Sequence, residues 1–246
     1  MERCPPSLFL EARMLATVRS ATLHGVEGRP VDVEVHVCHG LPSFTVVGLP
    51  DAAVRESRDR VRAAIISSGL SWPIHRVTVN LAPSGIRKTG AGLDLPVAIG
   101  ILTAAGTLAP SQVEGTAFLG ELGLDGSVRA IPGIASMVGA LGASRVVVPY
   151  DCLAEARLVS AGALGARSLA ELADVLRYDA PWPEIPPVVE PAARPAPDLA
   201  DVRGQPVGRR ALEIAAAGGH HLLLVGPPGS GKTMLAARLA GLLPAL

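Results

Sequence analysis

The stretch HLLLVGPPGSGKTMLAARL, residues 221–239, changes character twice along its length. Leu222 to Val225 form an unbroken apolar run, which predicts a buried strand. Gly226-Pro227-Pro228-Gly229-Ser230-Gly231-Lys232-Thr233 then fits the pattern GxxxxGK[ST], and the residues from Met234 onward carry a helical pattern. Strand, glycine loop and helix in that order make a phosphate cradle. The glycines let successive N–H groups turn inward, the helix start adds partial positive charge, and Lys232 reaches the β and γ phosphates. Thr233 is expected to hold Mg²⁺, so ATP and Mg are the expected cofactors.

Upstream of that strand, DVRGQPVGRRALEIAAAGGH (201–220) reads as a turn followed by a helix. Before it, PWPEIPPVVEPAARPAP (181–197) carries seven prolines, which deny the backbone both helix and ladder donors. Residues 178–200 are therefore expected to be a linker between two bodies. The predicted organisation is an N-terminal extension at 1–13, a domain at 14–177, the linker, and a phosphate-loop module at 201–246.

Bulk composition limits the rest. Lys plus Arg and Asp plus Glu are 22 each, so no overall basic field draws the chain to nucleic acid or membrane, and contact with either must be local. Aromatic residues are 3% of the chain, too few for the stacking platforms of an oligonucleotide-binding barrel. Cys4, Cys38 and Cys152 are odd in number and far apart, which predicts free thiols and a reducing cytoplasm. The apolar stretch from Leu95 to Ala109 falls short of the roughly 20 residues that a bilayer span needs, so a buried helix and no membrane are expected. MERCPPSLFLEAR has no sustained apolar region, so it is not read as a secretory signal, and Met14 is an alternative start.

The first domain reads as mixed α+β. VDVEVHV (31–37) puts valines on one face and Asp32, Glu34 and His36 on the other, as in the half-buried antiparallel strands predicted from Met14 to Phe44. Asp51 opens a helix whose Val54, Val61 and Ile65 share a face and which Gly69 stops. HRVTVNLAP (75–83) and RVVVP (145–149) are predicted strands. Helices are predicted from about Leu93, near 133–142 and over 168–177, with a hairpin around Asp125-Gly126.

Residues 201–244 resemble the opening of a magnesium-chelatase-type AAA+ module. Joined to GLPDAAVRESRDRVRAAI (48–65), VNLAPSGIRKTGAGLDLPVAIGIL (79–102) and GELGLDGSVRAIPG (120–133), they make the chain similar to the YifB/ComM family of bacterial Mg-chelatase-like ATPases, from about Met14 to the last residue. The resemblance implies an α+β, Lon-like first domain of ribosomal S5 domain 2 type, a proline-rich linker, and the first part of an α/β P-loop AAA+ module. It further implies an ATP-driven hexamer and, from ComM, DNA as a partner in helicase-like branch migration. It places Asp201 to Gln205 near the adenine, which makes Val202 and Gly204 candidate nucleotide contacts. In the family the module continues beyond the loop. Walker B, sensors and arginine finger do not follow here, so binding without hydrolysis is expected of this chain by itself.

Three rival readings of the residues differ in what they require. An adaptor would use the first domain to bind partners without turning over ATP. A chelatase motor shares the loop but not the first domain. A Lon-type protease needs a serine beside a neutral lysine, and Gly92 stands where the resemblance puts the serine, while the GIASMV segment has no lysine. Ser84 and Lys88 remain as a local pair, but a glycine loop is expected to hydrate that lysine and keep it charged. Arg87 and Lys88 are instead candidate phosphate contacts. Arg55, Arg58, Arg60 and Arg62 alternate with acids and read as a solvated salt-bridge face. His36, Cys38 and His39 offer two ligands on one strand face, where structural zinc takes four.

Overall fold

The structure is a computed structural model that describes residues 15–88, 90–143, 145–184 and 197–243, apart from the side chains at 52, 53 and 55. The expected extension at 1–13 and the middle of the expected linker, 185–196, lie outside the described residues. The chain divides into two compact units, Met1–Pro187 and Val188–Leu246.

The first unit is built on strands β1 (Leu15–His24), β2 (Glu27–Cys38), β3 (Ser43–Val47), β4 (Arg76–Ala82), β5 (Thr116–Phe118), β8 (Arg145–Pro149) and β9 (Ala163–Ala166). They form one seven-stranded sheet in the order β3-β4-β2-β1-β5-β8-β9. Strands β6 (Glu121–Leu122) and β7 (Val128–Arg129) make the small hairpin around Asp125-Gly126. Helices α1 (Ala52–Ser67), α2 (Asp94–Ala104), α3 (Pro110–Val113), α4 (Ile134–Leu141), α5 (Leu153–Arg157) and α6 (Leu169–Tyr178) connect them.

The valines of VDVEVHV set the register. Val31, Val33, Val35 and Val37 are buried, and Val33 lies opposite Val18 of β1 and Leu81 of β4. The antiparallel expectation for residues 14–44 holds for β1 and β2, and β4, predicted only as a strand, adds antiparallel to β2. The expectation fails at Phe44, because β3 runs parallel to β4. Helix α1 lies between those two strands in the chain and returns it to the same end of the sheet, as a parallel pair requires.

Side-chain alternation divides the core in two. Val18, Phe118 and Val147 join α1, α2 and α6 in one cluster, while Ala117, Leu119, Val146 and Val148 join α4 and α5 in another. The sheet is therefore covered on both faces over β5 and β8. Every residue of α2 is buried. Its approach to the sheet needs Gly100, where a Cβ would lie 2.5 Å from Val35 Cγ2. Among the described residues, no helix is long and apolar enough to cross a membrane.

The second unit contains a short 3-10 turn at Leu199–Asp201, α7 (Pro206–Gly218), α8 (Lys232–Leu239) and a final turn at Ala240–Leu242. Leu199, Val202, Leu212 and Leu235 form its small core, with Leu224, Leu239 and Leu242 packed against it.

Candidate functional site

The loop 226–233 joins the apolar run to α8. The run itself corrects the expectation of a strand: among the described residues, 221–225 enter no ladder, and Leu223 and Val225 are each 85% exposed. Apolar character predicts an extended segment, but a strand exists only where a second backbone accepts and donates along it.

Gly229 and Gly231 adopt left-handed φ values of +79° and +83°, on either side of Ser230. The chain thus turns sharply enough for Leu235 N–H to donate to Gly231 C=O at 2.9 Å, opening α8 directly after the loop. Among the described residues no side chain caps that helix start. Its first amides are the donors a helix N-terminus offers to an anion.

Lys232 is folded back over the loop. Its ammonium donates to the carbonyls of Gly226 and Pro227, each at 2.8 Å, and to Ser230 Oγ at 3.3 Å. Pro228 and Thr233 are exposed on the same turn. The donor set fits a phosphate: uncapped amides, two left-handed glycines and one ammonium held, among the described residues, by oxygens that a phosphate can replace.

Val202 is turned inward, 1% exposed, among Leu199, Leu212 and Leu235. Its carbonyl accepts from Arg209 Nη1 at 3.4 Å. Gly204 is left-handed at φ +74°, with open space where a Cβ would stand. Arg238 of α8 ties this segment to the loop helix, donating from Nε to Asp198 C=O at 3.0 Å.

Sequence reasoning included Gln205 in the segment near the adenine but missed its contact with the loop. Gln205 is left-handed, with φ +52°, and its amide donates to Ser230 C=O at 3.2 Å. Its only trace in the sequence is a polar residue between Gly204 and a proline at the first helical position.

The first unit corrects two further expectations. Lys88 is not hydrated: it is fully buried and donates to the Pro83 carbonyl. Burial pulls its pKa below the ordinary lysine value. Among the described residues no hydrogen bond joins it to Ser84, and its ammonium is turned away from any phosphate outside, leaving Arg87 as the exposed cation of that loop. The glycines do not expose Lys88 because its backbone is pinned, N–H to Leu49 C=O and C=O to Asp51 N–H.

Arg60 leaves the expected solvated face. Its Nε and Nη2 lie 2.8 and 3.2 Å from the two carboxylate oxygens of Asp94, which also accepts Leu122 N–H. Burial pushes the Asp94 carboxyl up to about 6, outweighing the pull of Arg60 in the other direction. Among the described residues no three His, Cys, Asp or Glu side chains gather as a metal site, and His39 instead stacks edge-on against His75 at 4.8 Å.

Fold and loop together define a mixed α/β protein with a parallel-rich sheet and a P-loop-like turn in a separate unit. Two family descriptions match it: subunit ChlI of Mg-chelatase over residues 33–151, and magnesium chelatase, subunit ChlI, over 198–246. The YifB protein of Salmonella typhimurium is 45% identical over 237 residues, 94% of this chain and 46% of the relative. Escherichia coli YifB is 43% identical over 94% of this chain and 46% of its own length. The competence protein ComM of Haemophilus influenzae is 41% identical over 94% of this chain and 47% of its own length. The chain belongs to the YifB/ComM family of Mg-chelatase-like proteins. It spans about half the length of the curated relatives it matches.

Proposed function

We propose that residues 226–233 bind Mg·ATP, and that the chain serves an ATP-driven factor acting on DNA. The observation that carries the first part is the convergence of an uncapped helix start, left-handed Gly229 and Gly231, and the Lys232 ammonium on one turn. On binding, Lys232 exchanges the carbonyls of Gly226 and Pro227 for β and γ phosphate oxygens. The amides at the start of α8 take the β phosphate. Thr233 Oγ1 would hold Mg²⁺, whose charge would shield the triphosphate. Val202 and Gly204 border the adenine end, Val202 fixing the backbone path from the small core. Binding and orientation of nucleotide are assigned to these residues, and turnover is not.

DNA enters through the likeness to ComM, named a competence protein. The first unit is read as the S5-like domain at 14–177, the residues from 201 onward as the opening of the AAA+ module, and the working form as a cytoplasmic hexamer. Calorimetric titration of Mg·ATP into wild type and Lys232→Ala tests the nucleotide reading. Saturable binding that weakens at least about tenfold in Lys232→Ala supports it, since a charge-assisted bond is worth about 1.5–3 kcal/mol. Equal, negligible affinity in both proteins overturns it in favour of an adaptor.

A further inference from the structure

Resting on the nucleotide reading above, we infer that Gln205 is a positioning residue for the phosphate loop: its side-chain amide holds the Ser230 carbonyl and so presets the turn that presents the loop amides. Three observations meet at this residue. Its Nε2 donates to Ser230 C=O at 3.2 Å, across 25 residues of sequence. Its backbone is left-handed at φ +52°, directly after left-handed Gly204, a conformation that costs a residue with a Cβ and lets Gln205 face the loop. At Gly231 a Cβ would lie 2.6 Å from that same Nε2, so glycine there serves the amide's approach as well as its own φ of +83°.

The geometry has a directional consequence. Ser230 C=O belongs to the peptide whose N–H is Gly231's, so fixing the oxygen fixes where that N–H points. The amide acts on the backbone of the turn and not on the nucleotide, and Gln205 is therefore no catalytic residue. It also joins the start of α7 to the loop, so a change in loop conformation reaches α7 through one hydrogen bond.

The test uses the whole chain with Gln205→Gly, Gln205→Glu and Lys232→Ala. Glycine takes the left-handed backbone without strain, so Gln205→Gly is expected to raise the melting temperature without nucleotide. The same substitution is expected to weaken Mg·ATP by about three- to tenfold, the effect of losing one hydrogen bond. Gln205→Glu keeps the shape but sets an acceptor against the Ser230 carbonyl, and is expected to weaken binding at least as much. Amide hydrogen exchange at 229–233 in the nucleotide-free chain is expected to quicken in both.

A purely structural cap moves stability and affinity together, so opposite signs in Gln205→Gly are the signature of positioning. Wild-type affinity and unchanged loop exchange in both Gln205 variants, with binding lost in Lys232→Ala, overturn this inference and leave the nucleotide reading standing. Absence of binding in wild type overturns the nucleotide reading and the role of Gln205 with it.

Discussion

The Arg60 guanidinium on α1 lies 2.8 Å from the carboxylate of Asp94 at the start of α2, and that carboxylate also accepts the amide of Leu122 at 3.3 Å. One buried acid thus joins two helices to the small hairpin of the first unit.

Asp94 makes stability depend on pH. Its carboxyl is raised from 3.8 to about 6, so between these values the folded chain holds a proton that the unfolded chain has released. The stabilisation is full below the lower value, is lost as pH rises through about 6, and is level above it. Asp94→Asn is expected to remove that fall, on the order of 3 kcal/mol at most. Urea unfolding of both proteins from about pH 4 to pH 7 measures it, and parallel pH profiles refute it.

Lys88 acts at the alkaline end. Burial lowers its pKa, so the unfolded chain holds more protons as pH approaches 10.5, and stability from this group rises with pH through the folded value. Lys88→Met keeps the volume without the charge and is expected to lack that rise. Melting temperatures from neutral to alkaline pH decide it: the gap between the two proteins must shift in favour of wild type as pH climbs.

Asp51 secures both the start of α1 and the loop beside it. Its two oxygens accept Val54 N–H at 2.9 Å and Gly90 N–H at 3.1 Å. Asp51→Ala is expected to cost about 1–2 kcal/mol in chemical denaturation, the range for losing a helix cap. Asp51→Asn, which retains one acceptor, is expected to lose less.

Gly100 tests the fit of α2 on the sheet. Alanine at an exposed helical site gains propensity, but here its Cβ meets Val35 Cγ2 at 2.5 Å. Overpacking is expected to win, with Gly100→Ala destabilising by about 1–3 kcal/mol. A melting temperature equal to or above wild type shows that the helix shifts freely.

Thr233 bears on the metal. Under the nucleotide reading, Thr233→Ala is expected to weaken ATP binding in the presence of Mg²⁺ by about tenfold, while affinity in excess chelator stays near that of wild type. Titrations with and without Mg²⁺ compare the two, and an equal loss under both conditions removes Thr233 from the metal.

Much of the first unit was readable where a period stands out. The valines at 31–37 were visible as alternation and the face of Val54, Val61 and Ile65 as helical spacing, while RVVVP was visible as a short continuous valine run. The short β5 and β9 were not, since β5 is buried throughout, β9 nearly so, and both are too brief to show a period. Arg60 and Lys88 were misread because charge alternation and neighbouring glycines suggest exposure, whereas their environments come from Asp94, 34 residues away, and from the pinned 49–51 segment.

By itself the sequence determined the order of glycines, lysine and threonine from Gly226 to Thr233 and the alternation that splits residues between the faces of the sheet. Both depend on residue type at fixed spacing along one backbone. Only the tertiary structure decided that Asp94 is shared by Arg60 and Leu122, that Lys88 turns inward, that 221–225 stands outside any ladder among the described residues, and that Gln205 holds Ser230. Each of those depends on which distant groups arrive within hydrogen-bond reach, and that distance is set by the packing of whole elements, to which local spacing is blind.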